Sequence, residues 1–137
     1  ELSIVTKAVE QIQKSYYEPS KQWEAQMETK SIINEELSQE GSIDIPKVAE
    51  KIFRDQPELK QEFTEKMEKY NLSEKRVAPQ NPATTRRYEK QCLVTDTGIE
   101  IKIPMEEYKN KDSVEFITNA DGSISVLIKN IGHIVSK

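Results

Sequence analysis

Residues 114–128, VEFITNADGSISVLI, decide the architecture of this chain. Val114 and Phe116 alternate with polar neighbours, Asn119-Ala120-Asp121-Gly122 turns the chain, and Ile124, Val126 and Ile128 alternate again on the return. Alternation at a period of two places each strand's apolar side chains on one face. Gly122 supplies the positive φ that a type I turn with a following bulge, or a type I′ turn, requires. Just upstream, Ile99, Ile101 and Ile103 point one way and Glu100 and Lys102 the other, so Cys92 to Thr95 pairs with Ile99 to Ile103 across Asp96-Thr97-Gly98 until Pro104 ends the strand. Residues 92–137 are therefore expected to hold two antiparallel β-hairpins that together form a small four-stranded sheet.

Working back from the hairpins, the period lengthens. Leu2, Ile4, Val5, Ala8, Val9, Ile12 and Tyr16 fall within about half of a helical wheel, which predicts an amphipathic helix ending near Pro19. A second runs from Ser20, a candidate N-cap, along the stripe Trp23, Met27, Ile33 and Leu37 to Gly41. Asp44 and Pro46 read as the start of a short third helix, and Pro57 opens a fourth whose stripe is Leu59, Phe63, Met67 and Tyr70, with Asn71 as terminator. The fold class is thus α+β, with a helical half of about four helices over 1–72 followed by the hairpins.

Between these halves, residues 73–91 contain Pro79 and Pro82 and almost no apolar side chains, which reads as a connector with a helical turn at Thr84 to Lys90. Its charge stands out. Five basic residues, Lys75, Arg76, Arg86, Arg87 and Lys90, face two acidic ones, net +3, while residues 1–72 carry net −5 and residues 92–137 net −2. A basic, Pro-containing stretch with Tyr88 beside Arg87 suits contact with a phosphate backbone, because Arg and Lys displace counterions without reading bases. The plainer reading is a solvated linker whose arginines pair with the acidic helices, and composition alone favours it.

At 137 residues the chain suits one domain, and its 35% hydrophobic and 32% charged content is that of a folding sequence. A net charge of −4 excludes a surface that is basic all over. No apolar run approaches the roughly 20 residues needed to span a bilayer, and the single Cys92 cannot form an intramolecular disulfide, so a cytoplasmic location with no membrane partner is expected. With Glu1 rather than Met at the start and a helical pattern already under way at Leu2, the chain is expected to be a piece of a longer protein.

Catalytic chemistry finds little support. His133 is the one histidine, on a surface-prone tail, and Cys92 reads as a small buried residue of a strand, so neither a zinc site nor a Cys–His dyad is expected. The pairs Glu35-Glu36 and Glu106-Glu107 read as solvated faces, since neighbours on a helix point about 100° apart. Four scattered glycines make no phosphate-cradling loop, and Asp121-Gly122 lacks the spaced oxygen ligands and closing glutamate of a calcium loop. No catalytic residue, metal, cofactor or small-molecule substrate is assigned. The helical stripes also leave room for a protein partner or a homodimer.

From Ile43 onward the order of parts resembles the C-terminal region of the bacterial nucleoid-associated protein family of the YejK/NdpA type. The resemblance rests on Pro57-Glu58-Leu59-Lys60-Gln61-Glu62-Phe63, on Tyr70-Asn71-Leu72-Ser73-Glu74, on Thr97-Gly98-Ile99-Glu100-Ile101, and on the closing Gly122-Ser123-Ile124-Ser125-Val126-Leu127-Ile128-Lys129-Asn130-Ile131. It covers about two-thirds of the chain, with the first two helices matching less well. It implies a cytoplasmic, nucleoid-located protein without catalytic residues. On that basis the chain is expected to be a non-catalytic DNA-associated module, with Lys75, Arg76, Arg86, Arg87 and Lys90 as its nucleic-acid contacts. The alternative is a protein-interaction or dimerisation domain without direct DNA contact.

Overall fold

The computed structural model describes residues 1–137 as two compact units, Glu1–Glu89 and Lys90–Lys137. In the first, α1 (Leu2–Tyr16) buries Leu2, Val5, Ala8, Val9 and Ile12 along one stripe. Pro19 takes the first turn of α2 (Pro19–Glu40), where a missing amide costs nothing. Ser20, expected as the cap, therefore lies inside the helix and Glu18 precedes it. Gly41 stops α2 in the left-handed conformation at φ 71, its amide bonded to the Leu37 carbonyl.

Strand β1 (Ile43–Asp44) leads into α3 (Ile45–Ile52), whose cap is Asp44 as expected. Helix α4 (Pro57–Lys69) buries Leu59, Phe63 and Met67. Tyr70, counted in that stripe, is instead 57% exposed because the helix ends there. Asn71 adopts φ +58, its amide bonds Glu68 O at 3.0 Å, and the Leu72 amide bonds Met67 O at 2.9 Å. This reciprocal closure satisfies the last carbonyls and tucks Leu72 into the core.

The expected connector is more structured than a linker. Strand β2 (Arg76–Val77) pairs antiparallel with β1, Ile43 opposite Val77 and Asp44 opposite Arg76. Helix α5 (Pro82–Arg86) begins before the predicted turn at Thr84, since Asn81 caps it by accepting the Thr84 amide at 3.1 Å and Pro82 fills its first position. One apolar cluster, from Leu2 of α1 to Val77 of β2, serves as the core of this unit. Phe53 and Phe63 meet at its centre with ring centroids 5.7 Å apart.

The second unit contains β3 (Lys90–Val94), β4 (Glu100–Pro104), α6 (Met105–Tyr108), β5 (Val114–Thr118) and β6 (Ile124–Ile128). Both expected hairpins form, with Cys92 opposite Lys102 and Phe116 opposite Val126. At the second turn the Gly122 amide bonds Asn119 O at 3.0 Å and only Gly122, at φ 88, is positive, which selects the type I turn with a bulge. Asp121 Oδ1 accepts from the Ser123 amide at 2.9 Å and from Ser123 Oγ at 2.6 Å, contacts that hold its carboxyl below the usual value.

The expectation of one four-stranded sheet is corrected: the chain makes three two-stranded sheets, β1–β2, β3–β4 and β5–β6, and six helices rather than four. Pro104, without an amide donor, ends β4, and α6, which follows at once, packs against β3 and β4. Cys92 is corrected too. It is exposed, because the β3–β4 register places it on the face of Lys102 and Glu100 while Gln91 and Ile103 take the buried face.

Candidate nucleic-acid interface

The five basic residues of the segment fall into three settings. Lys75 and Arg76 lie at β2, positioned by the Schellman-type turn after α4 and by the Ile45 amide, which bonds Lys75 O at 3.1 Å. The β1–β2 register sets Arg76 opposite Asp44, and its guanidinium is already engaged, 3.7 Å from Asp44 Oδ2 and donating to Ser42 Oγ at 3.2 Å. Lys75 is exposed and enters no ion pair.

Arg86 and Arg87 stand at the end of α5, both exposed and neither within reach of a carboxylate. The linker reading required these arginines to pair with the acidic helices; of the basic residues in the segment only Arg76 does so, through Asp44 of β1. Backbone bonds from Tyr88 N to Thr85 O at 3.0 Å and from Glu89 N to Arg86 O at 3.2 Å continue the turn beyond α5, so the two guanidinium groups project from ordered chain. Lys90 opens β3 and belongs to the second unit. The structure therefore brings together Lys75 with Arg76 and Arg86 with Arg87, each pair as sequence neighbours.

Tyr88 differs from its expected role beside Arg87. Its ring is half-buried and packs on the core cluster, and its hydroxyl shares a side-chain hydrogen bond with Thr6 of α1. Burial raises the phenol above its ordinary value. The ring closes one side of a cleft of about 220 Å³ lined by Thr6, Val9, Gln13, Thr29 and Ile33 of α1 and α2. At its floor the buried Gln13 donates through Nε2 to Thr29 Oγ1 at 2.9 Å, tying the two helices. Tyr88 is thus an anchor holding Arg86 and Arg87 to the helical body rather than a platform for stacking on bases.

The acidic background has its own structure. Glu36, expected on a solvated face, is 1% exposed, because α3 packs over α2 and sets Lys47 and Lys51 at 3.2 and 3.1 Å from its carboxylate. Burial alone would raise its pKa, but hydrogen bonds and charge from Lys51 and Lys47 outweigh that and lower it. Glu107, half of the other acidic pair, accepts from Ser113 Oγ. His133 is exposed in the tail, and no three His, Cys, Asp or Glu side chains are grouped to hold a metal ion. No helix is long and apolar enough to cross a membrane.

Against known proteins, the family described as NA37, nucleoid-associated protein YejK, matches residues 2–134. The match takes in α1 and α2, which the sequence resemblance had left largely outside. No curated protein and no solved structure matches the chain.

Proposed function

Because the chain belongs to the NA37 nucleoid-associated protein family, we propose that it is a non-catalytic, DNA-associated module, the C-terminal part of a protein residing with the nucleoid in the cytoplasm. Its contacts are to phosphate. Arg86 and Arg87 carry most of the interaction, Lys75 adds a free charge, Arg76 contributes once released from Asp44, and Lys90 acts from the second unit. The observation carrying this reading is the pair Arg86–Arg87, exposed, without a carboxylate partner, and fixed to the helical body through Tyr88.

Phosphate contacts of this kind carry no sequence information, so binding is governed by counterion release. The net charge of −4 opposes DNA at long range, which makes binding weak and confined to the local patch. The test is an anisotropy titration of duplex DNA against salt. Replacing both Arg86 and Arg87 by Ala reduces the slope of log K against log salt by about 2, one unit for each lost phosphate contact. Absence of binding at low salt, by this chain and by the full-length protein, overturns the reading. The alternative, self-association without DNA contact, draws on a separate feature of the second unit, its exposed apolar hairpin.

A further inference from the structure

The chain exposes large apolar side chains unevenly. Ile117, Ile124, Leu127 and Ile128 of the β5–β6 hairpin and Ile131 and Ile134 of the tail after it are each between 37% and 75% exposed. The hairpin is bound to no other strand, so both its edges are open. The two edges differ. Strand β5, Val-Glu-Phe-Ile-Thr, carries a charge at Glu115, paired with Lys129 at 3.4 Å. Strand β6, Ile-Ser-Val-Leu-Ile, has no charge, proline or bulge, the devices by which proteins protect an edge.

The backbone of β6 is also self-complementary. Asn119 N bonds Ser123 O at 2.8 Å and Lys129 N bonds Ser113 O at 2.8 Å, so by the alternation of an antiparallel ladder Ser125 and Leu127 also bond inward to β5. The peptide groups of Ile124, Val126 and Ile128 then face outward. Two such edges fit each other antiparallel about a two-fold axis at Val126, with Ile124 of one copy opposite Ile128 of the other.

We propose that β6 is the interface with a second copy of this chain, two hairpins joining edge to edge into one four-stranded sheet. Ile124, Val126 and Ile128 of both copies form a continuous apolar row on one face of that sheet. Asn130, at φ +58, ends the strand, and Ile131 and Ile134 of the tail beyond it are also exposed. The self-complementary backbone, more than area, selects this occupant: Ile117 and Leu127 lie on the opposite face, and at roughly 190 Å² for a fully open aliphatic residue Ile124, Ile128, Ile131 and Ile134 present only about 400 Å² per copy, the size of a weak, concentration-dependent contact. Charge does not oppose it, since the second unit carries six basic and seven acidic side chains.

The test is sedimentation of the full chain from about 1 to 300 µM. The wild type rises from 15.8 kDa toward twice that mass. Val126→Pro, which removes an outward amide and leaves the β5 ladder its inward bonds, weakens the dimer at least tenfold, and Leu127→Lys, which charges the same strand, does likewise. Tyr70→Ser, which removes an exposed aromatic of the first unit, leaves the dimer unchanged. Amide exchange on the wild type gives a reading that needs no variant: the Ile124, Val126 and Ile128 amides gain protection as concentration rises. A mass of one chain throughout, open-ended growth without a dimer plateau, an unaltered dimer in both β6 variants, or unprotected outward amides at every concentration each overturn the proposal.

Discussion

The two units reach stability by different means. The first threads helices α1 to α4 and the β1–β2 pair around a single cluster in which Val5, Ile33, Ile43, Val48, Phe63 and Met67 are wholly enclosed. Among its large apolar side chains only Tyr16 and Tyr70 are more than half exposed. The second buries only Ile103, Met105 and Val114 among its apolar residues, and shows solvent both faces of its β5–β6 hairpin. A two-stranded hairpin is marginal by itself in water. The lesson is that local pairing can specify a shape without supplying the burial that holds it, and such a shape calls for a partner.

The comparison breaks first under truncation. Phe63→Ala empties the centre of the first cluster, where the ring is fully enclosed against Phe53, and is expected to cost about 3–5 kcal/mol, enough to unfold this unit near room temperature or lower its melting point by tens of degrees. Ile124→Ala, at a position 45% exposed, is expected to cost under about 1 kcal/mol. Thermal unfolding followed by circular dichroism checks both, and equal losses would erase the distinction between the units.

Acid probes the first unit through Glu36, while in the second it acts on Asp121, lowered by Ser123 at the β5–β6 turn. Glu36 is lowered in the folded chain by Lys51 and Lys47, so its contribution is complete above its unfolded value and is lost as pH falls through the lower folded one. Denaturant midpoints should therefore fall as pH drops below about 4.5. Glu36→Gln removes this part of the pH dependence and costs about 2 kcal/mol at neutral pH, since it leaves Lys47 and Lys51 without their shared acceptor. A variant whose midpoint tracks the wild type over the whole acid range contradicts the assignment.

Tyr88→Ala tests whether the basic pair depends on the helical body. Loss of a half-buried ring is expected to cost about 1–2 kcal/mol, and DNA binding weakens with it. Tyr88→Phe keeps the packing and loses only the bond to Thr6, so it stays near wild type in both. Equal loss of binding in both variants would shift the weight from packing to the hydroxyl.

How much of this was legible follows the range of the interactions. Helices α1 to α4 and both hairpin turns are local: a stripe at helical spacing, Pro at a first turn, Asn71 and Gly122 where φ is positive. What was hidden depends on partners far along the chain. The β1–β2 pair joins Ile43 to Val77 and Asp44 to Arg76, far apart in sequence, through two residues each, too few to show a period. Glu36 reads as solvated until α3 lies over it, Tyr88 reads as a contact residue until the cleft of α1 and α2 receives it, and the separation of the hairpins depends on α6, four residues long. In the interface, the charges were readable and their freedom was not: only the ion pair to Asp44 separates Arg76 from Arg86 and Arg87.

The smallest expected effect tests local pairing most directly. Gly122 sits at φ 88, where a side chain is disfavoured by about 1–2 kcal/mol, yet a Cβ placed there would meet no atom within 4 Å. Gly122→Ala thus carries a conformational cost with no packing cost, expected at about 1 kcal/mol, and Gly122→Asn recovers part of it because Asn tolerates that region. The loss falls on the β5–β6 turn, read as faster amide exchange at Asn119 and Lys129, whose bonds to Ser123 and Ser113 close the hairpin. Unfolding of the first unit stays at its wild-type midpoint. If the hairpin is held chiefly by its turn, exchange accelerates along its whole length; if a second copy holds it at β6, raising the protein concentration restores protection at Lys129 while Asn119, beside the altered turn, stays fast.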